Sequence, residues 1–209
     1  APAGAGTYNG TVVAEATTAI KNTTKVTGKE VVLYQKTSIG TGTGATNPWL
    51  QELPDGITKA TWDNYALISM SMAKEVLGLD LINGSEKESN NYEYYPEKPV
   101  IKITVGKNTV ELPVLVIPGM NDKTIAIAVG YGRGENLGAT AAGVGKNVYP
   151  FTSYNGSTVS YAAEATVADA GRKEKIAQTQ IHNSYEDRIE VVRETTLATL
   201  KKFPTVIPD

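Results

Sequence analysis

The chain has 209 residues, 41% hydrophobic and 20% charged, which is ordinary for a folded protein able to bury a real core. A formal charge of −2 without any basic run gives no reason to expect nucleic acid or an anionic membrane as a partner. Cysteine is absent and histidine occurs once, so disulfides, thiolate catalysis and an iron–sulfur cluster in this segment are excluded, and a histidine-built zinc site is disfavoured.

The longest apolar run, VLVIPGM, is broken by Pro118 and Gly119, so no direct membrane insertion is expected. The chain begins with Ala1 and no secretory h-region follows, which reads as a processed protein or an excised piece of a longer one. Residues 1–27, rich in Ala, Gly, Thr and Asn, read as an extended or loosely held lead-in, and 28–209 as a single domain. Glu30–Gln35 (EVVLYQ) is a short apolar run ahead of the glycine-rich SIGTGTGATN, the pattern of a buried strand and its exit loop.

Residues 47–66, NPWLQELPDGITKATWDNYA, hold both tryptophans, Trp49 and Trp62. The stretch is too aromatic for a solvated loop and too polar for a core strand. It reads as a catalytic loop, a binding lip or a rigid strut. In SMSMAKEVLGL, Ser69 or Ser71 can cap a two-turn helix and Gly78 can end it, with Met72, Val76 and Leu77 on the apolar side. Residues 80–98 are polar and turn-prone, with Tyr92, Tyr94 and Tyr95 among them, and read as a surface insertion.

Beyond it the pattern is β. Val100–Val105 puts Ile101, Ile103 and Val105 on one face, Gly106–Asn108 supplies a three-residue turn, and Val110, Leu112, Val114 and Val116 resume the period of two. Thr124–Val129 sets Ile125, Ile127 and Val129 opposite Ala126 and Ala128, which suits a tight barrel. A long glycine-rich loop covers 130–150, strands are predicted at Thr158–Val167 and Lys175–His182, and a polar tail with helical character covers about 186–202. The fold class expected is mainly β, with one or two short helices and long strand-end loops.

Two glycine clusters, Gly40-Thr-Gly42-Thr-Gly44 and Gly130-Tyr-Gly132-Arg-Gly134, could cradle an anion with backbone N–H groups, and Arg133 could add a bidentate charge. Neither has Rossmann spacing, and either can be a plain turn. Arg133 could instead pin its loop through Glu135 or Asp63. His182 could serve as a base, but no nucleophile is marked beside it. Glu52, Asp55 and Asp63 could pair as acids or simply cap turns. The sequons at Asn9, Asn22, Asn83 and Asn155 matter only in a secreted eukaryotic chain. No catalytic constellation assembles.

The blocks NPWLQELPDGITKATWDNY, AKEVLGL, ELPVLVIPGM, AVGYGRG, GVGKNVYPF, AQTQIH and VVRETTL occur in this order over about residues 28–200. Together they resemble the C-terminal, molybdopterin-dinucleotide-binding part of large-subunit-like chains in the molybdopterin oxidoreductase family. The subfamily they resemble belongs to periplasmic, membrane-attached quinol oxidoreductases of the alternative complex III type.

The resemblance implies a double-psi-type β-barrel facing a molybdopterin guanine dinucleotide. It implies a role in respiratory electron transfer, with no redox centre in this segment. Its partners would be the remainder of its own large chain and a membrane-attached respiratory complex. The implied contacts are Gln35, Thr37, Ser38 and Gly40 in the first strand-end loop, with Lys36 and Ile39 between them. The later ones are Trp62, Asp63 and Asn64, then Arg133 and Asn147.

This chain departs from the family at Pro54-Asp55-Gly56, at His182-Asn183 in place of paired histidines, and in the insertion 80–98. Quinol-oxidising relatives are thought to have lost the cofactor while keeping the fold. The Trp segment is then expected to act as a strut with both indoles buried. From another class stands a secreted β-rich module binding carbohydrate, which requires several aromatics on one exposed platform.

Overall fold

The computed structural model describes residues 10–21, 27–154, 156, 158–181 and 195–205. Where a loose lead-in was expected, Thr11–Lys21 forms a helix (α1). Between Gly10 and Asn22 there is neither Gly nor Pro to break a helix, although β-branched Thr, Val and Ile make its intrinsic propensity low. Averaging over the glycine-rich flanks hid that run. Val12, Val13 and Ile20 of α1 stay exposed.

Lys29–Tyr34 (β1) follows, then Pro48–Glu52 (α2), Ala66–Ile68 (β2), Met70–Leu77 (α3) and Glu86–Tyr94 (α4). The remaining elements are Glu97–Val105 (β3), Asn108–Val116 (β4), Thr124–Ala128 (β5), Ser153–Tyr154 (β6), Val159–Ser160 (β7), Ala162–Lys175 (β8) and Leu197–Lys202 (α5). None of the described helices is long and apolar enough to cross a membrane.

Six strands close a barrel in the order β1-β5-β2-β4-β3-β8, while β6 and β7 form a separate two-stranded ribbon. The pairs β1/β5 and β2/β4 are parallel, and all other barrel pairs are antiparallel. This pattern has an exchange symmetry. Swapping β1 with β4, β2 with β5 and β3 with β8 carries every pair onto a pair of the same sense. The parallel pair β1/β5 becomes β4/β2, and the antiparallel pair β3/β4 becomes β8/β1. The chain thus runs through two interlocked sets of three strands.

Barrel closure leaves no open sheet edge, and the interior fills by alternation. Ile101 and Ile103, Leu112 and Val114, and Ile125 and Ile127 are buried in one cluster with Val31 and Ile68. Val110 and Val116 pack against it, so the expected face of β4 is the inner one. The turn before β4 is shorter than expected. Val105 pairs with Asn108, leaving the two-residue loop Gly106–Lys107 with Gly106 at φ 57. Glycine in the first position of such a loop matches its twist to the strands.

The helix α3 follows its sequence signals. Ser69 accepts from the Met72 N–H as N-cap, and Gly78 in the left-handed region donates to Ala73 and Lys74 carbonyls as C-cap. Two other expectations change. The insertion 80–98, expected to be turn-prone, holds α4, capped by Ser85, and its tyrosines lie on or just beyond that helix. It is also anchored: the Tyr92 hydroxyl donates to the Val114 carbonyl and accepts from the Val116 N–H, and Lys98 is buried.

Of the two strands expected near the C-terminus, the first coincides with β7 and the start of β8, while the described residues 176–181 of the second form no strand; β8 runs instead from Ala162 to Lys175, pairing first with β1 and then with β3. Its polar residues are compatible with a long strand because partners succeed one another along it, Ala162–Ala165 pairing with β1 and Thr166 onward with β3 across a register shift. Lys175 ends it, and Ile176 turns inward into a small cluster with Ala60, Tyr65 and Leu115. His182 and Asn183 lie outside the described residues, as do Asn9, Asn22 and Asn155. Of the tail, 195–205 are described and include α5.

Candidate functional site

The contact residues implied by the resemblance lie on loops at one end of the barrel, where the exits of β1 and β5 meet the entry to β2. Three loops build this end: 35–47, 58–65 and 129–149. What brings them into contact is backbone approach at glycine. A Cβ on Gly130 would lie 2.7 Å from the Gly42 nitrogen, and one on Gly132 would lie 2.1 Å from the Asn147 nitrogen. Both glycines have positive φ, at 96 and 68. No other residue type tolerates both constraints.

Polar side chains stitch the loops. Asn64, 1% exposed, donates through Nδ2 to the Ala128 and Lys146 carbonyls, both at 2.9 Å. Its Oδ1 accepts from the Lys146 N–H at 2.8 Å. The neighbouring Asp63 carboxylate accepts from the Gly145 N–H at 2.7 Å. Arg133 donates from Nη2 to the Thr41 carbonyl at 2.9 Å and from Nε to the Gly130 carbonyl at 3.3 Å. Tyr149 donates its hydroxyl to the same Thr41 carbonyl at 2.9 Å.

The guanidinium therefore joins two glycine loops through carbonyls, and no described ion pair links it to Glu135 or Asp63. It pins the loop, but by partners the sequence did not suggest. Asn147 is exposed and its Oδ1 accepts from the Tyr149 N–H. Gln35 and Thr37 are exposed, while Ser38 and Gly40 are half-buried. Trp62 is half-buried at φ 60, a conformation that bulky residues rarely adopt, and its N–H donates to the Gln51 carbonyl at 2.8 Å.

The expectation that both indoles are buried is corrected at Trp49, which is 81% exposed. Asn47 caps α2 and Pro48 starts it, and the short helix then turns Gln51 inward and Trp49 outward. Leu53 and Ile57 share that outward exposure. The inner part of the segment does act as a strut. Thr61 N–H donates to the Ala177 carbonyl, Ala60 bridges Gln178, and Tyr65 is buried against the Thr58 hydroxyl at 2.5 Å. Gln51 donates to the Ala45 carbonyl, while its Oε1 is buried without a partner among the described residues.

Acids here close turns. Asp55 accepts from the Ile57 and Thr58 N–H groups and from the Thr58 hydroxyl. Burial pushes its carboxyl up, but those bonds and the nearby Lys36 charge outweigh it and hold the group below its usual range. Glu52 is exposed at the end of α2. Among the described residues no cluster of three or more His, Cys, Asp or Glu could hold a metal.

Lys36, named in the sequence only as a member of the first strand-end loop, is a buried cation. Lys36 is 6% exposed, with Nζ 4.2 Å from the Tyr65 ring centre and 5.2 Å from that of Tyr131. Nζ also donates to the Asp63 carbonyl at 3.5 Å. Burial lowers its pKa to about 8, partly offset by Asp55 and Asp63. Burial likewise pushes the phenols of Tyr34, Tyr65 and Tyr131 above their ordinary value. Such an amine could act as a base, yet it lines none of the four clefts lined by Tyr92, Lys98, Asn64 or Tyr95. Its role is to lock β1 to the entry of β2 through cation–π contact. A Lys one position past an apolar strand, ahead of a glycine run, was the available signal.

A dinucleotide grip would need free donors at this end. Those of Asn64, and the Nε and Nη2 of Arg133, are held by the chain's own carbonyls, and a Cβ on Gly42 would collide with the Arg133 guanidinium at 1.5 Å. The adjoining cleft beside Asp63, Asn64 and Gly145 measures only about 50 Å³. As they stand, these side chains brace loops. No protein-family model matches the chain, and no curated protein sequence matches it significantly.

Proposed function

We propose that this chain is a scaffold domain of a molybdopterin-type oxidoreductase, with no redox centre of its own, in a periplasmic, membrane-attached respiratory complex. In this reading the barrel is of the double-psi type. The supporting observation is the strand-pair pattern, in which two interlocked sets of three strands exchange while every pairing keeps its sense. The ordered blocks from WLQELPD to VVRETTL point the same way.

The closed strand-end loops favour scaffold use over cofactor contact. Molybdopterin guanine dinucleotide, if the parent chain carries it, would then be held chiefly by other domains. The exposed Trp49, Leu53 and Ile57 would pack on the remainder of the large chain. The carbohydrate-binding alternative gains Trp49, but the other exposed aromatics among the described residues, Tyr95, Tyr154, Tyr161 and Phe203, belong to different parts of the chain.

The test is purification of the endogenous protein from gently solubilised native membranes, followed by mass spectrometry and a quinol-oxidation assay. Co-purification with a respiratory complex that oxidises quinol is expected. A protein recovered free of any such complex, with tryptophan fluorescence quenched by glycan, would overturn the reading.

A further inference from the structure

The two clefts that flank α4 carry both signs of charge, Lys98 with Glu93 in one and Lys87 with Glu88 in the other, and so select no ligand. The turn that leads into α4 carries a sharper chemistry. Residues 80–84 read DLING, and among the described asparagines Asn83 alone is followed by glycine. Asn9 and Asn155 also precede glycine but lie outside the described residues.

Glycine at 84 is imposed by the turn. A Cβ there would lie 2.0 Å from the Asp80 carbonyl oxygen, and the Gly84 N–H donates to that oxygen at 3.0 Å. The Asp80 carboxylate braces the same turn. Its Oδ1 accepts from the Ile82 and Asn83 N–H groups at 3.2 and 2.9 Å, and its Oδ2 meets Lys74 Nζ at 2.6 Å. The bond from Lys74 holds this carboxyl below its usual range, so it stays ionised from neutral pH upward. Asn83 is exposed, and no described hydrogen bond holds its carboxamide.

An unhindered backbone nitrogen therefore follows a solvated carboxamide, the pairing that closes a succinimide ring. The Gly84 nitrogen bonds to Asn83 Cγ and the Cγ–Nδ2 bond breaks. Ammonia leaves with the two carboxamide hydrogens and the hydrogen of the Gly84 N–H. Water then opens the ring and restores that N–H. Cleavage at Cγ gives aspartate, and cleavage at the main-chain carbonyl gives isoaspartate. In the closed turn the hydrogen that must leave is bonded to Asp80, so reaction waits on local opening.

We propose that Asn83 is a site of spontaneous modification, cyclising onto Gly84 and ending as aspartate or isoaspartate, with opening of the Asp80 turn setting the rate. The product replaces a neutral amide with a carboxylate. As isoaspartate it also lengthens the main chain by a methylene just ahead of Ser85, the N-cap of α4, whose Tyr92 bonds β4.

The test incubates the whole chain at neutral and at mildly alkaline pH, then reads a tryptic digest by mass spectrometry against an unincubated sample digested alongside. Cleavage after Lys74 and Lys87 isolates residues 75–87, in which Asn83 is the only asparagine. Wild type should accumulate both acids in that fragment, with isoaspartate identified by enzymatic methylation. Accumulation should be faster at the higher pH, because the attacking nitrogen must shed its proton. Asp80→Ala, with circular dichroism unchanged, should react about fivefold faster, the effect on local opening of losing one hydrogen bond. Asn83→Gln should give neither product. If Asp80→Ala fails to fold, the wild-type products, their pH dependence and Asn83→Gln decide. A fragment 75–87 that stays intact, aspartate without isoaspartate, a rate indifferent to pH, or an equal rate in folded Asp80→Ala would overturn the proposal.

Discussion

Asn64 should be the most expensive polar side chain to remove from the barrel end. It is 1% exposed and makes three hydrogen bonds, to Ala128 O, Lys146 O and Lys146 N–H, each between 2.8 and 2.9 Å. Each bond contributes about 1 kcal/mol net, so Asn64→Ala removes roughly 3 kcal/mol, and more where the orphaned groups stay dry. Asn64→Asp keeps the shape but turns a two-donor end into an acceptor facing two carbonyls, so it should cost at least as much. The control is Gln35→Ala, in an exposed neighbour expected to change stability by less than about 0.5 kcal/mol. Urea unfolding followed by circular dichroism reads all three, with the slope checked for two-state behaviour. A loss below about 1 kcal/mol in both Asn64 variants would refute the claim that this side chain ties the loops together.

Leu112→Ala, at a 1% exposed position of the barrel interior, should cost about 2–5 kcal/mol in the same assay, and a loss under 1 kcal/mol would mean the inner face is misassigned. Trp49→Ala should leave the stability of the isolated chain within about 0.5 kcal/mol, because an 81% exposed indole has little packing to lose; a larger loss would contradict its exposure. Stability should also depend on pH in a definite direction. Lys36 and Lys98 have folded pKa values of about 8 against an ordinary 10.5, so between those limits the unfolded chain holds more protons and stability rises with pH. Buried Tyr34, Tyr65, Tyr92 and Tyr131 keep protons that the unfolded chain loses near 10, so stability falls beyond that point. A melting temperature that falls between pH 8 and 9.5 would contradict the burial of the two amines.

Elements with a short-range cause were legible in the chain. The Ser69 and Gly78 caps of α3, the alternation of β3 and β4, and the alanine-faced β5 all depend on neighbours a few residues away. What failed depended on distant partners or diluted signals. The polar run that becomes β8 is a strand because β1 pairs with its first residues and β3 with the rest, which no window of its own sequence records. The helix α1 was masked by the glycines around it. At the barrel end, the glycine clusters were visible as unusual, and Arg133 as their charged member. That its guanidinium faces Thr41, and that Lys36 meets Tyr65 and Tyr131, are long-range facts with no trace in local spacing.

The central claim is that the strand-end loops carry structure rather than ligand, and Arg133 decides it most directly. The measurement is the melting temperature of wild type and Arg133→Ala, each with and without a guanosine nucleotide. A brace predicts a lower melting temperature for Arg133→Ala with no ligand present, since two bonds to loop carbonyls are lost, and no nucleotide shift in either protein. Nucleotide that raises the melting temperature of the wild type and leaves Arg133→Ala unmoved would contradict it, because a ligand stabilises only the native state that binds it.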